Sequence, residues 1–126
     1  MKNRKILIID DEPHVLKLCS LILSREGYQV VEASNGAEAI AKVEKDPPDL
    51  IIVDLMLPDM NGAEIIQAIR EKHSCRAPVL FLTAMITRAE EVAKDLDIKV
   101  QDVSYQVMAK PLDQTKFLEL VKKQLG

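Results

Sequence analysis

Four apolar runs in this 126-residue chain end in residues that handle phosphate and metal ions. Residues 5–9 run into Asp10-Asp11 and residues 50–53 into Asp54. Residues 79–82 run into Thr83 and residues 105–109 into Lys110-Pro111. If the runs are parallel strands of one sheet, their C-terminal ends share an edge. Three carboxylates, a hydroxyl and an ammonium then meet in one crevice. Neighbouring carboxylates repel by a few kcal/mol per close pair at an effective dielectric of roughly 20, so such a cluster needs compensating positive charge. The Lys110 ammonium is one source. A hard divalent cation, Mg²⁺, held by carboxylates, a backbone carbonyl and water, is the other. A carboxylate held in this way is a poor proton shuttle at neutral pH, but it can attack phosphorus and form an acyl phosphate. Phosphoryl transfer needs in-line positioning and neutralised equatorial oxygens, which the metal, Lys110 and Thr83 would supply. Singly, each residue has a plain structural explanation: a helix cap, a strand end, a turn hydroxyl, a surface Lys-Pro. Their joint occurrence at four strand ends points to a site.

The elements that position these groups alternate from end to end. Asp11-Glu12-Pro13 is an acidic cap followed by proline, whose fixed φ suits a first helical turn. Val15, Leu18, Cys19 and Ile22 then repeat at helical spacing, and Gly27 stops the helix. Residues 28–33 read as a second strand, and Asn35-Gly36 turns into a helix over 37–45. Pro47-Pro48-Asp49 leads into the third strand. Ile65, Ile66 and Ile69 mark a third helix, and Ala89, Val92, Ala93 and Leu96 a fourth. A last helix over about 113–125 buries Phe117, Leu118, Val121 and Leu125. Strands apolar nearly throughout, separated by amphipathic helices, predict a parallel sheet covered on both faces. The expectation is a doubly wound α/β fold of flavodoxin-like (βα)5 type, with five parallel strands in the order 2-1-3-4-5. Its ligand crevice lies at the carboxyl ends of strands one and three.

Composition narrows the classes further. The length fits one domain, and residues 1–126 are read as a single unit with no output domain. A net charge of −3 without a basic stripe argues against nucleic acid as a direct partner. No apolar run approaches a signal-peptide core or a membrane span. Cys19 and Cys75 lack motif spacing and read as free thiols of a cytoplasmic protein. His14 is expected to be exposed and inert, and His73 has no second ligand at zinc spacing.

The chain resembles the receiver domain of two-component response regulators over essentially its whole length. The matching residues are Ile8-Ile9-Asp10-Asp11-Glu12, residues 54–62 (Asp-Leu-Met-Leu-Pro-Asp-Met-Asn-Gly), Leu82-Thr83-Ala84 and Lys110-Pro111. By that resemblance Asp54 accepts a phosphoryl group from a phosphohistidine on a sensor histidine kinase or phosphotransfer protein. Asp10, Asp11, Asp54 and the Met56 carbonyl would bind Mg²⁺, while Thr83 and Lys110 engage the phosphoryl oxygens. The implied function is a signalling switch acting on a downstream protein target or output domain. It would carry out its own phosphorylation and weak dephosphorylation and would not be an enzyme acting on a separate metabolite.

The sequence departs from the family between Thr83 and Lys110. That segment is several residues longer than usual and lacks the usual Gly-Ala before the last strand. Val92, Leu96, Val100 and Val103 are spaced to continue the fourth helix. Val107 stands where the family usually has Tyr or Phe, with Tyr105 two residues earlier. Altered coupling to the output face is therefore expected. Met56 and Met85 occupy places that tune attack by water, and their apolar side chains imply slow dephosphorylation. The alternative reading is a receiver-like interaction module that is not phosphorylated. An aspartyl-phosphate phosphatase of the haloacid dehalogenase type would want an acid at Met56. A flavin-binding module would want a Ser/Thr/Gly-rich loop where Asp-Asp-Glu-Pro stands.

Overall fold

A computed structural model describes residues 4–72, 75–83, 97–100, 103–109 and 113–125. In chain order these form β1 (Lys5–Ile9), α1 (Pro13–Arg25), β2 (Gln29–Ala33), α2 (Gly36–Lys45) and β3 (Leu50–Asp54). There follow α3 (Gly62–Lys72), β4 (Val79–Thr83), β5 (Asp97–Val100), β6 (Val103–Ala109) and α4 (Gln114–Leu125). The strands make one sheet of order β2-β1-β3-β4-β6-β5. β2, β1, β3, β4 and β6 are mutually parallel, which is the expected 2-1-3-4-5 order of five parallel strands.

Period-two alternation sorts the strand side chains onto two faces. Leu7, Ile9, Ile51, Val53, Val79, Phe81 and Val107 pack with Ala39 and Val43 of α2 and Ile65, Ile66 and Ile69 of α3. Ile6, Ile8, Leu50, Ile52, Leu80, Leu82 and Met108 pack with Val15, Cys19 and Ile22 of α1 and Phe117, Leu120 and Val121 of α4. Both faces are thus dry, which is why β3 and β4 carry no polar residue before their last positions. Each fully buried Ile, Leu or Val contributes roughly 1.5–3 kcal/mol relative to exposure, and β3 is buried at every position.

The sixth strand is a departure. The spacing of Val92, Leu96, Val100 and Val103 suggested a continued helix, but Asp97–Val100 is a strand. It pairs antiparallel with β6 through Ile98↔Tyr105 and Val100↔Val103. Ile98 and Val100 alternate with polar residues, as do Val103, Tyr105 and Val107, a period-two signal that outweighs the sparser helical spacing. The fourth helix expected over Ala89, Val92, Ala93 and Leu96 lies outside the described residues, as does His73. Val107 is buried in the core, and Cys19 and Cys75 are buried and not joined in a disulfide.

Two helices differ in detail from the sequence pattern. On α1 the buried stripe is Val15, Leu16, Cys19, Ile22 and Leu23, whereas Leu18 is 45% exposed. On α4 Leu120 takes the core place expected of Leu118, which is only partly buried. The end of α1 follows expectation. Gly27 has φ +90°, its N–H donates to the Ser24 carbonyl, and the Tyr28 N–H donates to the Leu23 carbonyl (3.0 and 3.2 Å). This paired closure satisfies two carbonyls that the helix leaves open.

Connections at the far end of the sheet are tied by polar contacts. The Asp49 carboxylate accepts from the Lys5 N–H (2.8 Å), and the Asp49 N–H donates back to the Lys5 carbonyl (2.7 Å). Arg70 of α3 donates to the carbonyls of Cys75 and Ala77, both at 2.7 Å, and so holds the entry to β4. No described helix is long and apolar enough to cross a membrane.

A Cβ on Gly27 meets no atom within 4 Å, so Gly27→Ala isolates the backbone term. The left-handed conformation is expected to cost the variant about 1 kcal/mol in urea unfolding, with no change in the slope of the transition.

Candidate functional site

The register of the two central strands builds the site. Ile9 of β1 pairs with Val53 of β3, and the next residue on each strand is an aspartate. Asp10 and Asp54 are 0% and 5% exposed, the buried charged side chains among the described residues. The Asp10 N–H donates to the Ala33 carbonyl at the end of β2 (3.0 Å), and the Leu55 N–H donates to the Leu82 carbonyl at the end of β4 (2.9 Å). Both aspartates are therefore fixed by backbone bonds to the outer neighbours of their strands. Their carboxylates also hold the turns that follow. Asp10 Oδ1 accepts from the Glu12 N–H (2.9 Å) and Asp54 Oδ1 from the Met56 N–H (3.1 Å).

Glu12 joins them. Carboxylate oxygens of Asp10, Glu12 and Asp54 lie within 4.8 Å of one another. The sequence pattern made Glu12 part of a helix cap, yet its side chain caps nothing. Its backbone carbonyl receives the N–H groups of Val15 and Leu16 instead, and Pro13 has no N–H to satisfy. The Glu12 carboxylate lies with the two aspartates, one of its oxygens 3.8 Å from His14 Nε2, a place that its position beside Pro13 concealed. Asp11, expected among the ligands, is exposed and stands outside this triad. His14 is 80% exposed at its side chain, as its place in the first turn implies.

Two buried carboxylates with a third close by form a hard, all-oxygen donor set. Burying such charges is costly unless opposite charge compensates them. The donor set fits a divalent cation of the Mg²⁺ or Ca²⁺ class and does not suit a soft metal, for which thiolate or imidazole would be needed.

The loop after Asp54 is closed tightly. Met56 bridges Asn61, and the Gly62 N–H donates to the Leu55 carbonyl (2.8 Å). Asn61 and Glu64 form a reciprocal capping box at the start of α3, each side chain accepting the other's N–H (2.8 and 3.0 Å). A Cβ on Gly62 would lie 2.6 Å from the Asp54 carbonyl oxygen, so the loop closes only over glycine. At the loop tip the Asp59 carboxylate accepts from the N–H groups of Gly36 (2.9 Å) and Ala37 (3.1 Å), the first two of α2. The Gly36 bond, partly opposed by desolvation and seconded by Ala37, holds the Asp59 carboxyl below the usual carboxylate range. Glu38 is lowered similarly, first by the Ser34 N–H.

Of the remaining expected residues, Thr83 ends β4 with its backbone paired to Ala109, so strand ends four and five meet as the sequence implied. The Thr83 side chain, Lys110 and Met85 lie outside what is described. The Met56 side chain is 56% exposed.

The sequence model of the response regulator receiver domain matches residues 6–122. Among curated relatives, the alkaline phosphatase synthesis transcriptional regulatory protein PhoP of Bacillus subtilis is 40% identical over 109 residues, covering 86% of this chain and 43% of its own length. The transcriptional regulatory protein KdpE of Mycobacterium tuberculosis is 37% identical over 113 residues, covering 90% of this chain and 47% of its own. The chain thus spans less than half the length of these relatives. Among solved structures, chemotaxis response regulator CheY4 of Vibrio cholerae superimposes with TM-score 0.81 at 28% identity, over 98% of this chain and 99% of that one. A CheY-like receiver domain protein from Methanospirillum hungatei gives 0.80 at 27% identity, over 98% and 94%.

Two outcomes follow from the loop geometry. Gly62→Ala must push the Asp54 carbonyl aside, with an expected loss of about 1–3 kcal/mol in urea unfolding and shifted amide resonances at residues 54–56. The lowered carboxyls of Asp59 and Glu38 stabilise the fold above the usual carboxylate range and lose that contribution as pH falls through their folded values. Asp59→Ala with Glu38→Ala is accordingly expected to flatten the acid limb of a stability–pH curve relative to the parent chain.

Proposed function

The chain belongs to the response regulator receiver domain family, and from that membership and the site we propose that Asp54 is its phosphoryl acceptor. The observation that carries this reading is the buried Asp10–Asp54 pair at the adjoining ends of β1 and β3, with Glu12 beside it. The donor on this reading is the phosphohistidine of a sensor histidine kinase or phosphotransfer protein. An Asp54 carboxylate oxygen attacks phosphorus, the phosphorus–nitrogen bond breaks, and the imidazole leaves as it takes up a proton. The product is an acyl phosphate on Asp54.

The chain's own residues orient and shield this step. The Met56 N–H donates to Asp54 Oδ1 and so fixes the orientation of the carboxylate that attacks. Asp10, Asp11 or Glu12, Asp54 and the Met56 carbonyl would hold Mg²⁺, which would supply positive charge against the phosphoryl oxygens. Thr83 ends β4 and Lys110 follows β6 in sequence, and we assign them the hydroxyl and ammonium that meet the same oxygens. Met56 offers no group to orient a hydrolytic water, so the phosphoryl group is long-lived on this reading.

Residues 1–126 act in this proposal as one receiver unit of the cytoplasm, a signalling domain whose only chemistry is its own phosphorylation and dephosphorylation. Its readout is a downstream protein target or an output domain. A second reading, an unphosphorylated interaction module, draws support from the β5–β6 hairpin and from Val107, which is core where the family usually has an aromatic residue.

Intact mass after incubation with acetyl phosphate and Mg²⁺ separates the two. The expected result is a gain of one phosphoryl group that requires both Asp54, tested as Asp54→Asn, and the metal. That gain should decay slowly once acetyl phosphate is removed. A folded sample that gains nothing with metal present sinks the acceptor assignment in favour of the interaction module.

A further inference from the structure

The first turn of α2 has a full account of its amides, and the account crosses the molecule. The first N–H groups of a helix have no partner within it. Here the Glu38 N–H is taken locally by Asn35 Oδ1 (2.8 Å), but those of Gly36 and Ala37 are taken by Asp59, over twenty residues away. A second contact backs this one. A Cβ on Gly36 would lie 2.6 Å from the Met60 sulfur, so the loop tip sits directly on the helix start.

The same corner of the chain holds the other half of the site. Ala33, three residues before Gly36, accepts the Asp10 N–H. Residues 33–37 are therefore a common abutment. They hold Asp10 through a carbonyl on one side and the 55–62 loop through two amides on the other. Met56, whose carbonyl the proposed function assigns to the cation, lies within that loop between Asp54, which takes its N–H, and the Asp59 anchor. Without Asp59, the loop keeps its internal closure through Leu55, Asn61 and Gly62 but loses its tie to the element that holds Asp10.

We propose that Asp59 is a positioning residue for the cation site, setting the Met56 carbonyl against Asp10 by anchoring the acceptor loop to the start of α2. This rests on the reading of Asp54 and its neighbours as an Mg²⁺-dependent phosphoryl site. Asp59 touches neither metal nor phosphate. Its effect passes through the loop, so it falls on metal affinity first and on phosphoryl transfer only through occupancy.

The test is Mg²⁺ titration of the full chain, followed by amide resonances of residues 36–37 and 54–62, for the parent, Asp59→Ala and Asp59→Asn. Outer-shell supports of metal ligands are typically worth ten- to hundredfold in affinity, so Asp59→Ala is expected to bind Mg²⁺ about tenfold more weakly. Before metal is added, its Gly36 and Ala37 amides should already have moved towards solvent-bonded positions. Asp59→Asn keeps one carbonyl oxygen for one of the two amides and should fall between. At saturating Mg²⁺, phosphorylation of Asp59→Ala by acetyl phosphate should return close to the parent level. Unchanged Mg²⁺ affinity in Asp59→Ala overturns the proposal, as does a parent chain that does not bind Mg²⁺. A parent that binds Mg²⁺ but takes up no phosphoryl group removes the acceptor reading alone, and the affinities still decide the role of Asp59.

Discussion

Burial of two like charges at the ends of adjacent central strands is the constraint around which this molecule is arranged. Asp10 and Asp54 are nearly inaccessible, and at the effective dielectric of a protein site a close carboxylate pair repels by a few kcal/mol. A fold carries such a pair only if the backbone fixes it in place and opposite charge can reach it. The backbone part is visible. Asp10 itself and Leu55, the residue after Asp54, are bonded through the main chain to the neighbouring strands β2 and β4, and each carboxylate receives an N–H from two residues on. The charge is then presented at the crevice rim, where a cation can compensate it.

The apolar architecture serves that presentation. Two separate clusters, one under α2 and α3 and one under α1 and α4, clamp the sheet from both sides. With every residue of β3 buried, a one-residue slip would move its side chains to the wrong face and carry Asp54 away from Asp10. Core packing thus specifies the register, and the register specifies the site. The loops add the finer adjustment: glycine at 62 lets α3 start against the Asp54 carbonyl, and Asp59 ties the loop tip to α2.

Much of this could be read from residue order. The four strand ends, the helix stop at Gly27 and the five parallel strands follow from apolar runs, turn residues and the handedness of crossovers. Other features escaped that reading for identifiable reasons. Leu18 and Leu16 are equally apolar, so helical spacing alone could not say which faces the sheet. The strand Asp97–Val100 was hidden because valines at positions 100 and 103 satisfy a helical spacing as well as a hairpin pairing. Its partner in β6 settles the matter. Glu12 was hidden by its neighbour Pro13, which marks a helix start and invites a capping role that the backbone carbonyl already fills.

What the sequence determined by itself is chemical identity and order: carboxylates behind the first and third strands, glycine where a left-handed residue or a close approach is required, and apolar stretches of strand length between helical stripes. These are local properties, legible because periodicity and turn chemistry act over a few residues. Tertiary structure alone decided which carboxylates share the crevice, that Glu12 joins and Asp11 does not, and that the start of α2 is closed by Asp59. Those outcomes depend on distances between segments far apart in the chain, which only strand register and helix packing establish.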